Sequence, residues 1–163
     1  MRSIEPGNRS MRDWLDSYSH DHQHPANQLL HWICVPPIVW SAIAMMWTIP
    51  VPEAWFRPGS WAVLAIVLAF TWYWKHSRRL GAALLIVLVL FALSCTWAFE
   101  HVGPASLLKL GLSVFVVAWI GRFIGHLIEG RRPSFLTDLA CLLIGPAWLM
   151  DKLLRRIGFR ETP

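Results

Sequence analysis

The chain has 163 residues, of which 55% are hydrophobic and 15% charged, with eleven Trp and a formal net charge of +5. A typical soluble domain carries about 25% charged residues, so this composition argues against a soluble enzyme. The Lys and Arg residues flank apolar runs instead of gathering on a polar face. That excludes a nucleic-acid reading and points to membrane lipid as the partner of the basic charge.

The first 28 residues are polar and lack an apolar core, so no cleavable signal peptide is expected. Within them, residues 10–18 read as a short amphipathic helix. Ser10 and Asp13 have capping-box spacing, and Met11, Trp14, Leu15 and Tyr18 fall on one face. Such a helix either lies in the membrane interface or packs on the rest of the protein.

Four apolar runs follow, at about residues 29–50, 61–74, 80–99 and 107–128. A span needs about 20 residues, and the second run reaches that only if the apolar residues before it are included. The first run contains Pro36-Pro37, which would kink it. A fifth run, 135–150, carries Asp138 and the pair Gly145-Pro146. It reads as two short helices, one apolar and one amphipathic (147–157), in a re-entrant or interfacial position. The expectation is an all-α polytopic membrane protein: one integral-membrane domain over 1–163, with four spans, an N-terminal interfacial helix and a C-terminal helix pair.

Charge orients the spans. The N-terminus, the loop with Lys75, Arg78 and Arg79, the loop with Arg131 and Arg132, and the C-terminus together hold twelve of the fifteen basic residues. Four spans put all twelve on one side, which the positive-inside rule makes cytoplasmic for both termini. The compact chain without added targeting sequence suggests a bacterial inner membrane. The three cysteines, Cys34, Cys95 and Cys141, lie in apolar runs without CxxC spacing and read as free buried thiols.

This topology brings His22, His31 and His126 to the same cytoplasmic depth. Pro25 suits a first helical turn, so Asn27 and His31 share a face while His22 lies in the chain leading in. On the fourth span Arg122, His126 and Glu129 share a narrow arc, and ionisable residues inside a span usually face the interior, paired or functional. Gly121 and Gly125 form GxxxG on the adjacent face, which admits a close helix neighbour. Three neutral imidazoles near a carboxylate suit Fe, Zn, Cu or Ni. The bland alternative is that His126 hydrogen-bonds inside the bundle and the other two are interfacial. His20, His24 and His76 read as solvated, and His101 falls on the opposite side.

The same residues carry a resemblance. The stretch from Tyr18 to Pro36, with His22-x-x-Pro25-x-Asn27-x-x-x-His31, and the stretch from Trp119 to Ser134, with Arg122, Gly125-His126 and Glu129 before Arg131-Arg132-Pro133, resemble the two signatures of the 2-hydroxy fatty acid dioxygenases. The similarity continues through Asp138 and Gly145-Pro146-Ala147-Trp148, and is weaker in spans two and three. It implies an enzyme that uses Fe(II) and dioxygen to convert a 2-hydroxy fatty acid to the acid one carbon shorter, a reaction of lipid metabolism linked to sphingoid-base breakdown. It also implies His22, His31 and His126 as iron ligands, with Asn27, Glu129, Arg122 and Tyr18 as supporting site residues. Arg122 departs from the Gln often found there. A guanidinium offers no acceptor, so it is expected to pair with Glu129 or meet the substrate carboxylate.

Other readings are a diiron hydroxylase or desaturase, a haem-binding protein, and a non-catalytic membrane protein with structural histidines. The first asks for about eight histidines in HxxxH and HxxHH clusters, and this chain has seven without them. Oligomeric state is not encoded in any pattern the sequence shows.

Overall fold

The computed structural model describes residue 15, residues 24–52, 56–128 and 130, and residues 135–158, with the side chains of that last segment from residue 143 onward. The described residues form α1 (Pro25–Trp47), α2 (Ser60–His76), α3 (Arg78–Val102), α4 (Pro104–Ile128) and α5 (Phe135–Arg156). Helices α1, α3 and α4 are each long and apolar enough to cross a membrane. Helix α2, with 17 residues, is at the short end of the range for a span.

Local sequence explains the boundaries. Pro25 occupies the first turn of α1, where its missing N–H costs nothing, and His24 caps the helix by accepting from Ala26 N at 3.2 Å. Pro36 and Pro37 lie inside α1 without ending it. Ser77 closes α2 and caps α3, its hydroxyl accepting from Leu80 N. Gly59 and Gly103 provide the positive φ that the turns before α2 and α4 require.

The bundle is inverted relative to a soluble one. Leu90, Leu93, Trp97, Val117, Ile120 and Leu127 all face outward from α3 and α4. Apolar surface on this scale marks contact with lipid. Inside, one cluster gathers Ile43, Ala44, Trp47, Leu88 and Leu107 towards one end. A second, at the other end, gathers Val35, Tyr73, Leu80, Leu84 and Trp148. Leu15 is buried in that second cluster; Met11, Trp14 and Tyr18 lie outside the described residues.

The most extensive pairing is α1 against α4. It depends on glycine. A Cβ at Gly121 would sit 2.7 Å from Cys34 Sγ, one at Gly111 would touch Ala44, and one at Gly125 would overlap Asn27 Oδ1. Small residues let the two backbones approach, as the GxxxG spacing predicts.

Helix α5 corrects the expected helix pair. It runs unbroken through Gly145 and Pro146 for 22 residues. Pro146 lacks the N–H that would bond the Leu142 carbonyl. Next to that gap, Tyr73 donates its hydroxyl to the Leu143 carbonyl at 2.6 Å. Buried Ala147 and Trp148 then anchor the following turn. The freed carbonyl is that of Leu142, and the Tyr73 bond to its neighbour ties α2 to α5 at the proline turn. The described partners of α5 are Gln28, His31, Trp32, Tyr73, Leu80 and Leu84. All lie where α1 begins, α2 ends and α3 begins, so α5 covers one end of the bundle. It is the end at which α4 finishes with His126.

Candidate metal and substrate site

Asn27 and His31 lie one turn apart on the buried face of α1, and both are fully buried. His31 Nδ1 is 2.9 Å from the Asn27 backbone oxygen. A carbonyl can only accept, so Nδ1 carries the proton and donates, and the ring's lone pair resides on Nε2. Exposed His76 and His101 make the same local bond, each at 2.8 Å, to Trp72 O and Trp97 O. The helix itself therefore supplies this bond. What distinguishes His31 is burial and the company it keeps.

That company is His126, in the last turn of α4. The two rings meet edge to face, with centroids 5.8 Å apart and planes at 89°. Trp148 of α5 also stands edge-on to His31, at 6.2 Å and 75°, and is 1% exposed. Three helices distant in sequence thus converge on one imidazole. The Nε2 atoms of both histidines are buried. An Nε2 lone pair with Nδ1–H held by a backbone carbonyl is the arrangement in which histidine binds transition metals. The donor chemistry at His31 therefore fits a metal. Among the described residues, however, no group of three or more His, Cys, Asp or Glu forms a metal cage. The described residues supply a histidine pair, not a complete ligand set.

Arg122, one turn before His126, is 2% exposed. Its guanidinium lies 5.7 Å from the centre of the Trp119 ring, on the seam between α1 and α4. Tyr18, His22 and Glu129 lie outside the described residues. His24 caps α1, while His76 and His101 are exposed on the bundle surface, His76 tilted against Trp72 and His101 stacked on Trp97, each one turn earlier.

Sequence reasoning passed over Lys152. Its ammonium sits 3.8 Å above the Trp148 ring and donates to Gln28 Oε1 at 3.0 Å. Burial lowers its pKa from the ordinary lysine value, and the Arg156 charge lowers it further. Asp151 pairs with Arg155 at 2.8 Å. The signal was present in the i, i+4 spacing of Trp148 and Lys152, which puts ring and ammonium on one face.

The comparisons with known proteins point one way. The family profile described as "Mpo1-like: 2-hydroxy-palmitic acid dioxygenase Mpo1-like" matches residues 8–157. The "2-hydroxy-palmitic acid dioxygenase MPO1" of Saccharomyces cerevisiae is 28% identical over 151 residues, which is 91% of this chain and 82% of the yeast protein. No solved structure matches the chain.

Proposed function

The chain belongs to the Mpo1-like family, and from that premise we propose that it is a membrane-embedded, Fe(II)-dependent dioxygenase. Its substrate is a 2-hydroxy fatty acid such as 2-hydroxypalmitate, and its product is the acid one carbon shorter. The observation that carries this reading is the perpendicular His31–His126 pair, buried under Trp148.

The overall reaction takes R–CH(OH)–COOH and O2 to R–COOH, CO2 and H2O. The C1–C2 bond breaks, C2 becomes the new carboxyl carbon, and four electrons pass from substrate to dioxygen. Iron supplies the redox chemistry when bound. His31 and His126 would hold it, joined by His22 from the N-terminal segment.

The chain's own residues do the rest. The Asn27 carbonyl fixes the His31 tautomer and turns Nε2 inward. Trp148 covers the outer edge of His31 and excludes water. Gly121 and Gly125 bring α4 close enough for His126 to reach across. The apolar exterior keeps the protein in the phase where the substrate tail dissolves, at about 0.8 kcal/mol per buried CH2.

The test is anaerobic purification in detergent and iron quantification. Fe(II), air and 2-hydroxypalmitate are then added, and the acid one carbon shorter is measured. Product that requires both iron and oxygen supports the reading. No bound metal and no product overturns it.

A further inference from the structure

Beside the histidine pair, α1, α3 and α5 enclose a half-open groove of about 190 Å³. Trp32, Val35 and Val39 form one wall, Leu84 and Leu88 another, and Leu149 a third. A second groove, of about 170 Å³, meets the first at Val39, Leu84, Leu88 and Pro146 and continues along α1 to Met46. From Trp32 to Met46 the two follow α1 for about 21 Å at 1.5 Å per residue. Both are lined almost wholly by apolar side chains. The first is cationic at one end only. Leu153, which also lines it, is flanked on α5 by Lys152 and followed one turn later by Arg156. Arg156 lies 5.9 Å from the ring of Trp32, in the groove wall.

We infer that Lys152 receives the carboxylate of the fatty acid and that the groove beside it takes the acyl tail. The inference rests on the proposed function for the identity of the ligand and deepens it by placing both ends. An apolar trough with positive charge at one end matches an amphiphilic anion. Lys152 does not itself line the groove; its ammonium stands beside that end, held over Trp148 and by Gln28, one turn before the groove-lining Trp32. Gln28 uses one of its three donors, and among the described residues no carboxylate forms an ion pair with it. Both of its contacts adjoin the histidine pair, since Gln28 follows Asn27 in the chain and Trp148 touches His31. A carboxylate held there lies against the Trp148 ring that touches His31. Arg122, expected from sequence to pair with Glu129 or meet the substrate carboxylate, sits on the α1–α4 seam near Trp119 and lines neither groove.

The test uses palmitate, which lacks the 2-hydroxyl, so binding is read whether or not the protein is a dioxygenase. Palmitate and methyl palmitate are titrated into the full chain in detergent, with Trp fluorescence as the readout. The native chain should bind the acid about tenfold more tightly than the ester, the size of one charge-assisted hydrogen bond. Lys152→Met should lose that preference without changing ester affinity, and Lys152→Arg should restore part of it. A palmitate analogue carrying a terminal diazirine should label peptides containing Val39 or Leu88. An acid preference that survives Lys152→Met overturns the assignment, as does labelling confined to other helices. A co-purified phospholipid that palmitate does not displace overturns it as well.

Discussion

His31 and His126 meet at right angles with ring centres 5.8 Å apart, although one stands near the start of α1 and the other in the last turn of α4. Replacing either with Ala should lower bound iron and cut turnover by more than about 100-fold, beyond the 10–100-fold typical of losing an outer-shell partner. Asn27→Ala should do less, because the group that fixes the His31 tautomer is the Asn27 backbone carbonyl, which alanine retains. Metal analysis and rate measurements on the three variants decide this. Equal losses at Asn27 and His31 would refute the tautomer argument.

The glycine seam gives a second prediction. Gly121→Ala places a methyl group against Cys34 Sγ and should destabilise the protein by about 1–3 kcal/mol, as overpacking does. Cys34→Ala in the same chain should recover most of that loss. Gly125→Ala drives into Asn27 instead, one turn from His31, so it should reduce activity more than its stability loss alone explains. Thermal unfolding in detergent and rate measurements on the folded fraction separate the two effects.

Tyr73 secures α5 where proline interrupts it. Tyr73→Phe removes the bond to the Leu143 carbonyl and should cost about 0.5–1.5 kcal/mol, the net contribution of one hydrogen bond. In a Pro146→Ala background the restored N–H bonds the Leu142 carbonyl and not that of Leu143, so the same change should cost about as much. A double-mutant cycle on thermal stability measures the coupling.

Lys152 makes stability depend on alkaline pH in a definite direction. Its pKa is lowered in the folded protein from the ordinary 10.5 by burial and by Arg156. Between the lowered value and 10.5 the unfolded chain holds more protons, so stability rises with pH across that window. Below the window both states carry the charge and the contribution is constant. The difference in melting temperature between wild type and Lys152→Met should therefore move in favour of the wild type as pH increases through it. A difference that stays flat would contradict the burial of the ammonium.

Much of this was legible in the sequence because the physics involved is local. Pro25 marked the start of α1, and the apolar runs marked α1 to α4. Gly121 and Gly125 marked the seam, and charge bias placed His31 and His126 at one depth. Two features were not legible. The anchoring of α5 beside Pro146 draws on a hydroxyl seventy positions earlier in the chain, which no local pattern encodes. The role of Lys152 was hidden because charge counting treats every basic residue as an orienting charge. It cannot tell which one folds back over a buried ring.

The groove between α1, α3 and α5 is open along its flank. A ligand reaching it sideways never passes through bulk water, so what drives occupancy is its mole fraction in the leaflet and not its molar concentration. Diluting the amphiphile with inert lipid should then slow the reaction at constant total amount, while diluting the whole suspension with buffer should leave the rate per protein unchanged.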